Sequence, residues 1–178
     1  MEAVMILEKL KTLFPQAVLG SLDRFGTLEI QISRPSVAQV VKTLRDDPQF
    51  GFNMLIDIVS LDYSAFPGWS GERFGLAYLL KSLPLGHRLQ LKTTAPEEEP
   101  VVPTISDMFH NANWLEREAC DQMGIRFAGH PNLKRLLNHH EFVGHPLRKD
   151  YPITRRQWLS ASESLMDEME VRLKEKGY

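Results

Sequence analysis

Residues 126–156 constrain the fold most, because this stretch can form neither a long helix nor a regular strand. It reads RFAGHPNLKRLLNHHEFVGHPLRKDYPITRR and contains the tripeptide Gly-His-Pro twice, at residues 129–131 and 144–146. Proline keeps the residue before it extended, and glycine lets the backbone pass close to a neighbour. Without a hydrophobic period, the stretch predicts an extended segment that lacks a core of its own. We call it the basic segment.

The basic segment is strongly cationic, although the whole chain carries a formal net charge of −2. Its two acidic residues are Glu141 and Asp150. Its seven basic residues are Arg126, Lys134, Arg135, Arg148, Lys149, Arg155 and Arg156. Such a local excess in a slightly acidic chain is typical of a segment that contacts a partner of opposite charge.

A metal site is one interpretation of this region. Histidines 110, 130, 139, 140 and 145 lie within 36 residues, together with Cys120, Asp121 and Glu141. However, no two histidines have the spacing of a helical metal site, and the adjacent His139 and His140 would point to opposite sides of an extended chain. The pattern therefore favours imidazoles that bond to backbone carbonyls or to carboxylates of a partner.

A nucleic-acid arm is the second interpretation, since aromatic residues alternate with the cations as in a stacking groove. The sequence pI of about 6.3 and the lack of a recognisable nucleic-acid motif argue against it. The third interpretation, a strap that lies on a protein partner, explains both stiffness and charge. Its cations would meet carboxylates, and its apolar anchors would be Phe127, Leu133, Leu136, Leu137, Phe142, Leu147 and Ile153.

Residues 1–95 predict an α+β domain. Apolar residues at helical spacing predict a helix over residues 2–14, and a second helix opens at Pro35 and ends before Pro48. Residues 17–22 and 27–33 form a predicted hairpin, and three further strands are predicted over residues 53–63, 73–83 and 88–94. This order predicts a mixed or antiparallel sheet with helices on one face.

Residues 96–124 predict a connector and a short helix that still pack on this domain. Asn113 and Glu116 have the spacing of a capping box, and Gly124 stands where a left-handed residue ends a helix. Arg117 and Asp121 have the spacing of an ion pair on the helix surface. Residues 125–178 are expected to form an extended, partner-binding segment that finishes in an amphipathic helix over residues 160–176.

No signature of catalysis is present in the sequence. There is no Gly-rich phosphate loop, nucleophile elbow or HExxH helix. Glu116 and Glu118 point in different directions on a helix, and the single cysteine, Cys120, favours a packed residue in a reducing cytoplasm. The charged N-terminus does not fit a secretory signal, and no apolar run reaches the ~20 residues of a membrane span. We therefore expect no catalytic or metal-binding residues in this chain.

Three sequence blocks resemble the 30-kDa subunit of respiratory complex I, that is, the C subunit of the bacterial proton-translocating NADH:quinone oxidoreductase. They are EREACDQMGI at residues 116–125, FAGHP at residues 127–131 and GHPLRKDYP at residues 144–152. The blocks are ungapped and in the family's order, and the preceding pattern of helices and strands also suits the family.

The resemblance implies a structural subunit of the peripheral arm, at the cytoplasmic face of the bacterial inner membrane. It implies that this chain holds no cofactor, that FMN and iron–sulfur clusters lie in partner subunits, and that the basic segment runs across the 49-kDa-type subunit beside a cluster-bearing subunit. The expected partner interface comprises Glu116, Arg117, Glu118, Asp121, His130, Arg135, His145, Arg148, Lys149, Asp150 and Tyr151.

Two alternatives stay open at the level of sequence. One is the equivalent subunit of a related membrane-bound hydrogenase or of a dehydrogenase with another electron donor, because the donor module would lie in other chains. The other is a free-standing metal- or anion-binding module that uses His130, His145 and the basic segment.

Overall fold

A five-stranded mixed sheet is the centre of the structure. The computed structural model describes residues 2–157 and 160–175. The sheet has the order β1-β2-β5-β4-β3 and consists of β1 (Val18–Arg24), β2 (Thr27–Ile32), β3 (Met54–Asp62), β4 (Phe74–Lys81) and β5 (Arg88–Ala95). The pairings β1–β2, β3–β4 and β4–β5 are antiparallel, and β2–β5 is parallel. The predicted α+β class and all five predicted strands are confirmed.

Two helices, α1 (Glu2–Leu13) and α2 (Val37–Asp46), pack into the same hydrophobic core as the sheet. A short 3-10 turn, Arg34–Ser36, leads into α2, where Pro35 occupies an early position that needs no N–H donor. Alternate residues of β2, Leu28, Ile30 and Ile32, are buried in this core, whereas Glu29 and Gln31 lie on the opposite face of the strand. This alternation is the period-2 pattern of a half-buried strand.

The hydrophobic core continues beyond residue 95. Val102, Ile105, Ala119, Ile125 and Phe127 are buried in the same cluster as the sheet residues. A helix, α3 (Ala112–Met123), contributes part of this core, and the main chain leaves the core after Phe127.

Two short strands were missed by the sequence patterns. They are β6 (Val101–Pro103) and β7 (Arg126–Ala128), which pair in parallel as a separate two-stranded sheet. Three residues are too few to show a period, and Pro103 in the first strand suggested a loop. The last helix, α4 (Ser160–Glu175), matches the predicted one, whose final residue Lys176 lies outside the described residues.

Across residues 2–157 and 160–175, no helix combines the length and the hydrophobicity that a bilayer span needs.

Candidate functional site

Helix α3 organises the region that the sequence singled out. It ends at Gly124, which has a φ of +77° and donates its N–H to the Cys120 carbonyl, so the predicted left-handed end is confirmed. The predicted capping box is wrong. The helix begins at Ala112, before Asn113, and the Glu116 side chain turns into the protein instead of back to the helix start.

Glu116 is a wholly buried carboxylate that binds the chain between β6 and α3. It accepts hydrogen bonds from the Thr104 hydroxyl and from the Ile105 N–H, the latter at 2.7 Å. Burial raises the pKa of Glu116 to about 7, against the opposing effect of these hydrogen bonds. The hydroxyl of Tyr78, whose pKa burial also raises, has no hydrogen-bond partner among the described residues.

His130 lies beside Glu116 but forms no ion pair with it. Its Nε2 is 3.1 Å from the Asn113 carbonyl oxygen, so this nitrogen must carry a proton. Its Nδ1 accepts the N–H of Asn132 at 3.0 Å, so this nitrogen carries none. The imidazole is therefore neutral, although Nε2 is only 4.0 Å from the Glu116 carboxylate.

Asp121 holds the first half of the basic segment against α3. Its buried carboxylate accepts the backbone N–H groups of Leu136, Leu137 and Asn138 at 2.8–3.1 Å. It also accepts the Asn138 side-chain amide at 3.1 Å and the Arg135 guanidinium at 2.6 Å. Burial alone would raise the pKa of Asp121, but these donors outweigh it and lower the pKa to about 2.

Arg117 holds the same stretch through its backbone carbonyls. It donates to the carbonyl oxygens of Lys134 and Arg135 at 2.9 and 3.0 Å. The predicted Arg117–Asp121 ion pair is therefore wrong, because each side chain is engaged with the basic segment.

The second Gly-His-Pro turn packs directly on the end of α3. The His145 Nδ1 lies 2.9 Å from the Asp121 carbonyl oxygen, and the Arg148 Nε donates to the Met123 carbonyl at 2.7 Å. A Cβ at Gly124 would come within 2.4 Å of Arg148 and 2.6 Å of His145. Glycine is thus required both for the positive φ and for this close approach. Burial lowers the pKa of His145.

A second buried carboxylate, Asp62 at the end of β3, holds the residues that follow. It accepts the Arg73 guanidinium through both oxygens, at 3.2 and 2.9 Å, and the Lys149 N–H at 2.9 Å. Arg73 also pairs with Asp150 at 2.9 Å and with Glu97. These hydrogen bonds lower the pKa of Asp62 far below its usual range despite burial. The sequence patterns missed Asp62, for which a carboxylate at the end of a mainly apolar strand was the available signal.

The main chain of the basic segment is therefore held within its own molecule, which the prediction of a strap on a protein partner did not anticipate. Asp121, Asp62, Arg117 and the end of α3 fix its course within the same molecule. The physical reason is that polar anchors, rather than an apolar core, can hold a segment without periodicity.

The outward side of the basic segment keeps its apolar side chains exposed. Leu137, Val143, Leu147 and Ile153 expose 65%, 62%, 54% and 100% of their surface, respectively. Lys149 and Asp150 are also exposed, whereas Tyr151 stacks on Phe142 with a centroid distance of 5.9 Å and accepts a hydrogen bond from Gln157. Contact of this side with a partner stays a prediction.

The eleven predicted interface residues thus fall into two groups. Glu118, Lys149 and Asp150 are exposed. The others are buried or half-buried, and they bind the chain itself: Glu116, Arg117, Asp121, His130, Arg135, His145, Arg148 and Tyr151.

The histidines mostly act as hydrogen-bonding groups of the fold. His130 and His145 bond to backbone carbonyls, as the sequence interpretation favoured. The rings of His139 and His140 lie 4.2 Å apart, so the expectation of opposite directions is wrong. Within the described ranges, no three His, Cys, Asp or Glu side chains come close enough together to hold a metal ion.

Comparison with known proteins agrees with the resemblance in the sequence blocks. Residues 30–157 match the family described as respiratory-chain NADH dehydrogenase, 30 Kd subunit. The C subunit of NADH-quinone oxidoreductase from Cupriavidus pinatubonensis is 42% identical over 156 residues, which are 83% of this chain and 78% of that protein. The same subunit from Xanthobacter autotrophicus is 46% identical over 138 residues, 78% of this chain but only 64% of that protein.

Two solved structures share the fold. A trypsin-resistant fragment of Nqo5 is 35% identical, with a TM-score of 0.66 over 75% of this chain and all of the fragment. A chain of an archaeal membrane-bound sulfane sulfur reductase is similar in fold, with a TM-score of 0.69 and 22% identity over 86% of this chain and 88% of that one. By its family match and its relatives, this chain belongs to the 30-kDa subunit family of respiratory-chain NADH dehydrogenase, which is a subunit family of complex I.

Proposed function

We propose that this chain is a non-catalytic structural subunit in the peripheral arm of a proton-translocating NADH:quinone oxidoreductase. It docks on the 49-kDa-type subunit, beside a cluster-bearing subunit of the quinone-reducing module, at the cytoplasmic face of the inner membrane. The FMN and iron–sulfur clusters belong to partner subunits, and this chain carries no cofactor.

The observation that supports this docking role best is the two-sided character of the basic segment. Its inner side is fixed by the two buried carboxylates Asp121 and Asp62. Its outer side presents aliphatic residues such as Val143 and Ile153 to solvent. A surface that is already ordered loses less conformational entropy on binding, so this arrangement favours a stable subunit contact.

The chemistry of the buried carboxylates supports a role without catalysis. Asp62, Asp121 and Glu116 each accept hydrogen bonds from backbone N–H groups of the chain itself. A general acid or base must instead be within hydrogen-bond reach of the proton that it transfers to or from a substrate. These groups hold loops and strands in place.

Co-purification tests the proposal. The full chain, tagged at its N-terminus, is recovered from gently solubilised membranes, and co-eluting proteins and iron are quantified. We expect a 49-kDa-type subunit and cluster-bearing subunits in stoichiometric amounts. Recovery of the tagged chain alone would contradict the role, and stoichiometric zinc in that lone chain would favour a metal-binding module. The accompanying electron-donor module distinguishes an NADH:quinone oxidoreductase from a hydrogenase or another dehydrogenase.

A further inference from the structure

A groove of about 240 Å³ lies between the edge strand β3 and helix α3. Ile58 and Ala119, which are buried, and Val59 and Leu147, which are exposed, form its apolar walls. Asp57, Ser60, Glu118 and Gln122 provide its polar groups. Its volume is below the roughly 300–1,000 Å³ of a site that encloses a cofactor or a drug-sized ligand, so it can hold only one or two side chains of a ligand that continues along the strand edge.

The strand at this groove is an edge strand. In the five-stranded sheet, β3 pairs only with β4, so its other edge is not part of a ladder. Edge strands of natural proteins are usually protected by charge, proline or shortness. Strand β3 has the charge of Asp57 and a register shift between Leu55 and Asp57, but it is nine residues long and exposes Met54, Ile56 and Val59. An exposed apolar edge of this length is a template for a further strand.

Gln122 gives an independent indication of a ligand. The residue is 7% exposed and lines the groove, and no hydrogen bond joins its side-chain amide to another described residue. The amide atoms are not themselves buried, so they face the groove, where water or a ligand can bond to them. Because the amide offers one carbonyl and two N–H donors, it matches the hydrogen-bonding groups of a peptide bond.

The charge of the groove specifies the segment further. Asp57 and Glu118 line opposite walls, and neither carboxylate forms an ion pair with another described residue. The only hydrogen bond of the Asp57 side chain in the described part of the chain is to the adjacent Ile58 N–H, at 2.8 Å. A lysine or arginine between the two carboxylates would therefore be favoured.

We propose that this groove binds an extended, basic segment of a partner subunit, which adds to the edge of β3. Its backbone bonds to Gln122, a cationic side chain lies between Asp57 and Glu118, and an aliphatic side chain contacts Val59 and Leu147. Only the identification of the partner as a subunit of the same complex rests on the proposed function. The geometry of the groove does not depend on that function.

Peptide binding to the purified full chain tests the groove directly. The probe is a hexapeptide of alternating valine and lysine, and its matched control replaces every lysine by glutamate. NMR follows the Gln122 side-chain amide and the backbone amides of residues 57–60. We expect shifts at these positions with the lysine peptide alone. Equal shifts with both peptides, or no shift with either, would overturn the proposal.

Matched variants separate the groove from general electrostatics. Glu118→Gln should weaken binding of the lysine peptide about tenfold, as expected for a lost charge-assisted hydrogen bond. Gln122→Met should weaken it similarly while it keeps the side-chain volume. Glu98→Gln removes another exposed carboxylate, which lies outside the groove, and should have no effect. If all three variants bind alike, the groove is not the site.

A cross-linking experiment identifies the natural occupant. A benzophenone amino acid replaces Ile56, which is exposed on β3 beside the groove and does not line it, and a control places it at the exposed Leu85. We expect the Ile56 position to capture a lysine- or arginine-containing segment of another subunit. Capture of a second copy of this chain, or no capture beyond the control, would overturn the partner assignment. If co-purification fails but the peptide titration is positive, the proposed function is rejected and the groove still stands as a peptide-binding site.

Discussion

The Asp121 carboxylate accepts both the backbone N–H and the side-chain amide of Asn138, at 2.8 and 3.1 Å, across 17 positions of sequence. This contact joins the last turn of α3 to the basic segment. With the parallel contact between Asp62 and Lys149, it fixes a long irregular stretch without an apolar core. Hydrogen bonds to a buried charged group are stronger than neutral ones, which makes two such anchors sufficient.

Replacing Asp121 by asparagine should release the first half of the basic segment. The variant keeps the shape of the side chain but removes the charge that Arg135 and three N–H groups contact. We expect a loss of about 2–4 kcal/mol in the free energy of unfolding, measured by urea denaturation. The control Glu118→Gln alters an exposed carboxylate on the same helix and should change little. Equal stability of both variants would contradict the anchor role.

Acid should weaken the fold through the same carboxylate. The pKa of Asp121 is lowered to about 2 in the folded protein, against an ordinary value of 3.8. Its contribution to stability is therefore complete above about pH 4 and is lost as the pH falls from 3.8 towards 2. Denaturation between pH 2 and pH 6 should show a steeper acid loss for the wild-type chain than for Asp121→Asn. Parallel curves would exclude this role of Asp121.

Glu116 should make the fold less stable as the pH rises towards neutral, which is the opposite of the effect of Asp121. Its pKa is raised from 4.5 to about 7, so the folded state favours the protonated carboxyl. Its contribution is fully present below about pH 4.5 and is lost as the pH rises to 7. By linkage the difference is on the order of 3 kcal/mol. The neighbouring groups Asp107 and Tyr78 do not supply a compensating positive charge.

Glu116→Gln mimics the protonated carboxyl and should remove this pH dependence. Thermal unfolding from pH 5 to pH 8 should show a declining stability for the wild-type chain and a flatter profile for the variant. The variant should be at least as stable as the wild-type chain at pH 8. A parallel decline in both proteins would show that another group titrates.

Alanine at Gly124 should disturb the contact between α3 and the second Gly-His-Pro turn. A Cβ there would lie within 2.4 Å of Arg148, in addition to the cost of the positive φ. The matched control is Gly68→Ala, where φ is +75° but no atom lies within 4 Å of the added Cβ. We expect both variants to lose about 1 kcal/mol from backbone strain and Gly124→Ala to lose roughly 1–3 kcal/mol more. If urea denaturation shows equal losses of unfolding free energy for the two variants, the second Gly-His-Pro turn does not pack on Gly124.

The sheet and its helices could be predicted because local periods determine them. The alternation of Leu28, Ile30 and Ile32 and the apolar face of α2 report burial directly. The strands β6 and β7 could not be predicted, since their pairing joins Val102 and Phe127 across the length of α3. Three-residue strands carry no period of their own.

The candidate site was predicted as a region but not in its contacts. A local spacing rule paired Arg117 with Asp121, whereas each residue instead binds backbone groups of residues 134–138. Such contacts depend on which part of the chain folds back onto the helix. The spacing of residues along one helix does not contain this information. The bond from Asp62 to Lys149, across 87 positions, was unpredictable for the same reason.

Amide hydrogen exchange of the free 178-residue chain tests the central claim most directly, namely that its own domain fixes the basic segment. The N–H groups of Leu136, Leu137, Asn138 and Lys149 bind buried carboxylates. They should therefore exchange at least about 100-fold more slowly than in an unfolded peptide. Unfolded-peptide rates at these four amides, with the β4 and β5 amides still protected, would contradict it.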